Sequence, residues 1–140
     1  MKKILLLIFC FIHQLSFAQN KNENAIRKML AAQEIAWNNG DLEKFMIGYW
    51  NNDSLLFIGK NGPKYGYNIT LENYKKGYGD TTKMGKFTST ILSIKKLSRN
   101  YYFIVGKWYL KRSIGDVNGC YTLLVRRIKG EWLIVADHSS

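Results

Sequence analysis

Two adjacent residues near the C-terminus, Asp137 and His138, carry the side chains best suited to acid–base chemistry. They follow an apolar segment that predicts a β-strand from Trp132 to Asp137, and neighbouring strand residues point to opposite faces. Only one of the two can therefore enter a pocket on one face of a sheet. A carboxyl group among apolar neighbours has a raised pKa and can transfer protons near neutral pH. The alternatives are a hydrogen-bonded aspartate at a strand end and a histidine that bonds a neighbouring strand or subunit.

Aromatic side chains are the second group of candidate site residues, since the chain contains 4 Trp, 9 Tyr and 7 Phe. This number exceeds what the core of one small domain usually needs. Several rings fall in segments that would surround one cavity, and small-molecule sites are mostly apolar with a few polar groups. For each ring taken singly, core packing is the alternative. The predicted ligand-binding set is Trp37, Tyr49, Phe57, Tyr74, Tyr78, Trp108 and Tyr121.

Trp108 lies near the middle of a predicted strand that is rich in aromatic residues. Side-chain alternation defines the residues that share its face. These residues are Tyr102, Ile104, Gly106 and Leu110. Because Gly106 has no side chain, we expect open space beside the indole ring of Trp108.

The sequence offers little for metal or nucleophilic chemistry. The chain has 2 Cys and 2 His, whereas a structural zinc site needs about four ligands. It has no Gly-x-Ser-x-Gly motif and no phosphate-binding glycine loop. Cys120 lies in an apolar segment, which favours a buried structural thiol over a reactive one. We therefore expect no metal and no cofactor.

The chain is strongly basic, with a net charge of +11 and a pI of about 9.7, as in many nucleic-acid-binding proteins. Its basic pairs, however, lie in different predicted elements, and adjacent strand residues point to opposite faces. This distribution favours a solvated surface. We expect no nucleic-acid partner.

The N-terminal segment has the pattern of a signal peptide. Lys2 and Lys3 precede an apolar run from Ile4 to Ile12, and Ser16-Phe17-Ala18 places small residues at the two positions a signal peptidase recognises. We predict a signal peptide over residues 1–18, and a single exported domain over residues 19–140 that is periplasmic or secreted. The apolar run is shorter than the roughly 20 residues of a membrane-spanning helix, so we expect no stable membrane anchor. The alternative is a buried N-terminal helix.

Helical periodicity dominates the first half of the remaining chain. It predicts a helix from Asn24 to Asn38, a second helix that Asp41 caps and that extends to Tyr49, and a third that Thr70 caps. A short strand, from Leu55 to Gly59, separates the second and third helices.

After Lys83 the hydrophobic period changes to 2, which predicts four strands joined by short turns and hence an antiparallel sheet. These strands are Phe87–Leu97, Tyr101–Lys111, Cys120–Ile128 and Trp132–Asp137. Helices followed by an antiparallel sheet form an α+β pattern, in which the helices pack on one face of the sheet.

This order of elements resembles the nuclear transport factor 2-like superfamily. The motifs that carry the resemblance are Trp-Asn-Asn-Gly-Asp at residues 37–41 and Gly-Glu-Trp-Leu-Ile-Val-Ala-Asp-His-Ser-Ser at residues 130–140. The chain is most similar to the SnoaL-like and calcium/calmodulin-dependent kinase association-domain-like branches, as an exported bacterial member with a ketosteroid-isomerase-like fold. The resemblance implies a cone of N-terminal helices on a curved, mainly antiparallel sheet that encloses a pocket, and a homodimer formed through the sheet. It also implies that Leu133, Val135, Asp137 and Ser139 face the pocket.

The chain departs from the active members it resembles. In the ketosteroid-isomerase branch an acid in the first strand abstracts the substrate proton, and the matching position here is Ile58. In the association-domain branch late-strand arginines hold an anionic ligand, and the matching positions here are Leu123 and Ser139. An aliphatic side chain accepts no proton, and the arginine fork is missing. Neither activity is therefore expected.

The sequence thus predicts an exported homodimeric protein that binds a small apolar or aromatic molecule. One alternative is a SnoaL- or isomerase-type enzyme in which Asp137 transfers a proton. Another is a homodimeric scaffold whose cavity is filled by its own side chains. A second polar group within hydrogen-bond reach of Asp137 would favour an enzyme, since proton abstraction beside a carbonyl also requires stabilisation of the enolate oxygen.

Overall fold

The computed structural model describes residues 21–140. The predicted signal peptide and its cleavage site lie outside the described residues. The described part of the chain contains four helices and six strands. Within it, no helix is long and apolar enough to cross a membrane.

The first helix is the longest in the described part of the chain and contributes Ile26, Leu30, Ala36 and Trp37 to the core. Helix α1 spans residues 21–38 in the described part, followed by α2 (Leu42–Met46), α3 (Tyr67–Tyr78) and α4 (Thr81–Met84). The predicted cap of α2 is confirmed, since the Asp41 carboxylate accepts a hydrogen bond from the Lys44 backbone N–H at 2.9 Å. Helix α4 was not predicted, because its four residues carry too little periodicity to detect.

The predicted cap of α3 is wrong. The helix begins at Tyr67, with Gly66 as its N-cap. Thr70 lies within the first turn, is buried, and donates its hydroxyl to the Gly66 carbonyl at 2.9 Å. Gly66 has a φ of 103°, which a residue with a side chain rarely adopts. The start of α3 is therefore determined by a glycine turn and not by a hydroxyl cap.

The strands form one curved, mostly antiparallel six-stranded sheet, which confirms the α+β fold. Their order across the sheet is β2-β1-β6-β5-β4-β3, and among the neighbouring strands of residues 21–140 only β1 and β6 run parallel. Strand β2 was not predicted, because Pro63 favours a turn; it lies at the edge of the sheet, where a missing N–H is tolerated. The strands are β1 (Leu56–Gly59), β2 (Gly62–Tyr65), β3 (Lys86–Ser98), β4 (Tyr101–Lys111), β5 (Val117–Ile128) and β6 (Glu131–Ser139).

A β-bulge in β6 decides which of its residues face the helices. Leu124 pairs with Ala136 whereas the next residue, Val125, pairs with Ile134, so Val135 is an extra residue in β6. Trp132 and Ile134 are buried before the bulge, and Asp137 is buried after it. The prediction that Leu133 and Val135 share the inward face of Asp137 is therefore wrong, although Asp137 itself does point inward.

Tyr121 occupies the space above Gly106. The two residues are register partners, and a Cβ atom at Gly106 would lie 2.1 Å from Cζ of the Tyr121 ring. The expectation of open space beside Trp108 is wrong at this position, because the aromatic ring of the neighbouring strand crosses over the glycine. Cys120 precedes Tyr121 and points the other way, so it is exposed, which contradicts the prediction of a buried thiol.

Candidate functional site

A cavity of about 900 Å³ lies between the inner face of the sheet and the helices. All seven aromatic residues of the predicted ligand-binding set line it, together with Asp137. Phe45 of α2 and Phe87 of β3 add further rings. The structure thus brings the predicted aromatic residues to one place, and their part in ligand binding stays a prediction.

One wall of the cavity is a cluster of edge-to-face aromatic rings. Trp37 lies at the centre of this cluster, with ring centroids 5.2 Å from Phe45, 6.0 Å from Tyr74 and 4.9 Å from Tyr78. Phe57 extends it, 5.7 Å from Tyr74. The Trp37 indole N–H donates to the Met84 carbonyl at 3.3 Å, so it is not directed at the cavity. These contacts favour a firm wall of fixed shape.

Asp137 is the only acidic residue among the described residues that line the cavity, and its residue surface is 4% exposed. Its Oδ2 accepts a hydrogen bond from the Tyr49 hydroxyl at 2.7 Å, and its Oδ1 accepts one from the Ser139 hydroxyl at 2.7 Å. The Tyr49 oxygen lies 3.3 Å from the Tyr74 oxygen. Because the single proton of Tyr49 is directed at Asp137, Tyr74 is left to donate in that second contact. The three groups form a chain of hydrogen bonds that ends at the carboxylate.

The position of Tyr49 depends on a short parallel bridge between the segment after α2 and strand β6. The Trp50 N–H donates to the Ile134 carbonyl, and the Ile134 N–H donates to the Gly48 carbonyl, each at 2.9 Å. Tyr49 therefore lies beyond α2, whose last residue is Met46, and not within the helix as predicted. This bridge brings the phenol against a carboxylate that is 88 residues away in the sequence.

Burial is the main influence on the titration of this group of side chains. Removal from water raises the pKa of Asp137, and the hydrogen bonds from Tyr49 and Ser139 oppose that rise. Burial, followed by the nearby charge of Asp137, raises the pKa of Tyr49 and of Tyr74 well above the usual phenol value. Both phenols are thus neutral hydrogen-bond donors at physiological pH. The carboxyl group can accept a proton or a hydrogen bond from a molecule in the cavity.

His138 and Ile58 lie on the other face of the sheet. His138 is exposed, is paired with Thr122 and Ile58 across the neighbouring strands, and does not line the cavity. Ile58 shares that outer face, and Phe57 is the β1 residue that points inward beside Asp137. The position given to Ile58 by the family resemblance is therefore wrong. The inward residue, Phe57, cannot accept a proton either.

Gln33 and Ser89 are polar residues of the site that were not predicted, whereas Ser139 was expected on the inward face of β6. Gln33 lies on the apolar stripe of α1, is 5% exposed, and donates to the Phe45 carbonyl at 2.9 Å. Ser139 supports Asp137, and Ser89 contacts the Tyr121 hydroxyl at 2.9 Å. Helical spacing could have identified Gln33, since it lies between Leu30 and Trp37 on one face. Residues 21–140 contain no cluster of His, Cys, Asp and Glu that could hold a metal ion.

Comparison with solved structures establishes the family. The chain is 42% identical to an NTF-2-like protein of unknown function from Shewanella oneidensis MR-1, over 85% of this chain and 98% of that one, with a TM-score of 0.82. The chain belongs to the nuclear transport factor 2-like superfamily. This finding confirms the resemblance noted in the motifs at residues 37–41 and 130–140. No family model and no curated protein matches the chain.

More distant members of the superfamily share the fold. An NTF2-like protein of unknown function from Pseudomonas putida KT2440 is 14% identical, with a TM-score of 0.72 over 86% of this chain and 87% of that one. A ketosteroid isomerase-like protein from Erwinia carotovora atroseptica SCRI1043 is 17% identical, with a TM-score of 0.64 over 84% of this chain and 93% of that one. At these identities the likeness extends to the architecture, whereas the function of this nuclear transport factor 2-like chain must be argued from its own cavity.

Proposed function

We propose that this protein binds a small, largely aromatic or apolar molecule that places a polar group against Asp137. The observation that carries the proposal is one buried carboxylate in a cavity whose lining includes nine aromatic side chains. The volume of about 900 Å³ falls within the range of small-molecule sites, roughly 300 to 1,000 Å³. Apolar walls supply most of the binding free energy, and a single polar contact fixes the orientation of the ligand.

The hydrogen bonds of Asp137 favour binding over catalysis. Each carboxylate oxygen already accepts a hydrogen bond from the protein, one from Tyr49 and one from Ser139. Such bonds stabilise the ionised form and make the group a weaker base. Each oxygen retains acceptor capacity, so a ligand hydroxyl or N–H can still bind to it.

Proton transfer is the second candidate function. It is supported by the Tyr49 phenol, whose oxygen lies 2.7 Å from the Asp137 carboxylate, because a carbonyl substrate needs both a base and a donor for its oxygen. Burial also raises the pKa of Asp137 toward the range useful for acid–base catalysis. A substrate carbonyl would have to displace one of the existing hydrogen bonds.

The proposed place of action is outside the cytoplasm. The support for it is the N-terminal pattern of Lys2, Lys3 and the apolar run at residues 4–12. The protein would then bind its ligand in the cell envelope or in the medium.

Calorimetric titration with 2-naphthol and with 2-methoxynaphthalene tests the proposal. The methoxy compound has the same ring system without the hydroxyl donor. We expect 2-naphthol to bind about tenfold more tightly, as befits one hydrogen bond to a charged group. Asp137→Asn should remove most of that preference, while Asp53→Asn, which changes an exposed acid, should retain it.

Two results would argue against the proposal. The absence of binding by either naphthalene compound would favour the scaffold hypothesis. If Asp137→Asn and the wild type prefer 2-naphthol over 2-methoxynaphthalene to the same extent, Asp137 does not contact the ligand. Release of a substrate proton to deuterated solvent, lost in Asp137→Asn, would instead establish the second candidate function.

A further inference from the structure

The rim of the cavity carries an excess of positive charge. Its lining includes four cationic residues, Lys60, Lys64, Lys83 and Arg112. The only acidic residue of the lining in the described part of the chain is Asp137, which is buried. The three lysines are exposed and Arg112 is half-buried, so their charges lie where the cavity meets solvent.

The sheet register brings these cations to one end of the molecule. Strands β1 and β6 run parallel with Ile58 opposite His138, so the β1–β2 turn that contains Lys60 lies beside the end of β6. The end of β6 is paired with Tyr121, close to the start of β5. Arg112 follows β4 immediately before the loop that leads into β5. The ends of β1, β4 and β6 and the start of β5 therefore form a single mouth.

Two further observations place the remaining cations near this mouth. Lys64 is the register partner of Phe57, so both side chains share one face of the β1–β2 hairpin, and Phe57 lines the cavity. Helix α4, which carries Lys83, is followed by its C-cap Gly85, where an added Cβ would overlap the Lys111 carbonyl and the Arg112 side chain. Lys83 and Arg112 thus come from two segments that touch.

The lysine charges at the mouth have few acidic neighbours in the described part of the chain, although the charge of Asp80 acts on Lys83. Lys60, Lys64 and Lys83 form no ion pair with another residue of the described range 21–140. Arg112 is less available, because its Nε donates to the Gly115 carbonyl and its backbone N–H donates to Asp116. Like charges grouped at the mouth of an apolar cleft concentrate an anion there.

We propose that the ligand is an amphipathic anion, with an apolar body in the cavity and a carboxylate at the mouth, within reach of Lys60, Lys64 and Lys83. This inference rests on the proposed function and specifies its ligand class. The apolar walls account for the body of the ligand and the free lysines for its acidic group. Both oxygens of the buried Asp137 act as hydrogen-bond acceptors, so the interior offers an anion no donor at this point, which favours entry of the ligand with its apolar end first.

Paired probes of equal shape and different charge test the inference. The probes are 2-naphthoate with 2-naphthamide and octanoate with octanamide, measured by calorimetry. We expect each carboxylate to bind about fivefold more tightly than its amide, the sum of a few exposed ion pairs. The preference should decrease as salt is raised from about 50 to about 500 mM. The pair with the stronger binding distinguishes an aromatic body from an alkyl one.

Charge-reversed variants separate a local from a general effect. Lys60→Glu/Lys64→Glu should weaken binding of the carboxylate until it is no tighter than binding of the amide, and an unchanged circular dichroism spectrum would show that the fold is intact. Lys95→Glu/Lys96→Glu makes the same change in net charge at exposed β3 positions outside the cavity lining, and it should retain the preference.

Each contrary result has a definite meaning. If the amides bind as tightly as the carboxylates, the inference fails and the proposed function stands. If the two double variants lose the preference equally, the effect is one of net charge, and the inference fails as well. If none of the four probes binds, the inference fails, and if 2-naphthol does not bind either, the proposed function is overturned as well.

Discussion

Substitution of Gly106 by alanine should destabilise the protein far more than a single methyl group suggests. The new Cβ would lie 2.1 Å from Cζ and 2.3 Å from the hydroxyl oxygen of Tyr121, whereas ordinary contacts are 3.4–4 Å. The ring must therefore move by more than one ångström. Tyr121 is 6% exposed and its hydroxyl is 2.9 Å from Ser89, so it has no free direction on the protein side.

The expected cost can be assembled from two contributions. Overpacking of a well-packed site costs about 1–3 kcal/mol. Loss of the contact between Tyr121 and Ser89 adds about 1 kcal/mol. We expect a loss of about 3 kcal/mol in the free energy of unfolding, which for a domain of this size lowers the melting temperature by roughly 10 °C. The ring can escape only into the cavity, so binding of 2-naphthol should weaken as well.

A double-mutant cycle measured by urea denaturation tests the cause. Tyr121→Ala alone should cost about 3 kcal/mol through the void it leaves. In Gly106→Ala/Tyr121→Ala the clash is gone, so the double variant should be no less stable than Tyr121→Ala, with a coupling of about 3 kcal/mol. Additive losses would refute this explanation, because they would show that the methyl group and the ring do not compete for the same space.

The titration of Asp137, the outer face of the sheet and the N-terminal cleavage site can each be tested separately. Burial raises the pKa of Asp137 in the folded protein. The stabilising contribution of this carboxyl group is therefore complete below its pKa in the unfolded chain, about 3.9, and is lost as pH rises through its pKa in the folded protein. Urea titrations at about pH 4 and pH 8 should show the wild type losing stability relative to Asp137→Asn as pH rises; the opposite trend would contradict the burial argument. We propose that the exposed outer face, which carries Phe103 and Tyr109, pairs two copies of the chain; Phe103→Asp should then sediment as a monomer, and a monomeric wild type at micromolar concentration would exclude the dimer. Protein recovered from its host should begin at Gln19, and an intact Met1 on the exported protein would disprove cleavage.

The regular elements could be predicted because their periodicity is local. The strand Tyr101–Lys111 is found with the predicted bounds, and the helix that ends at Asn38 carries the expected buried stripe. The segments that were missed are those in which one residue overrides the pattern. Pro63 hides a short edge strand, and the positive φ of Gly66 starts α3 earlier than the hydroxyl of Thr70 suggests.

The arrangement within the site depends on contacts that no local pattern contains. The hydrogen bond between Tyr49 and Asp137 needs the parallel bridge at Ile134, which joins distant segments. The closure of the space above Gly106 depends on which residue of β5 lies opposite, and that follows from the loop between the strands. Residue composition could predict an aromatic cavity with one acid, whereas the partners of that acid follow from the register.

The extra residue at Val135 also affects how this chain should be aligned with its relatives. The inward side chain after Ile134 is Asp137, three positions later, whereas a strand without the bulge presents its next inward side chain after two. In a relative with a regular last strand, the residue equivalent to Asp137 would therefore lie one position closer to the equivalent of Ile134. An alignment without a gap would pair Asp137 with an outward residue and report the acid as lost. Comparisons across the superfamily should place a single-residue insertion at Val135 before the presence or absence of this carboxylate is judged.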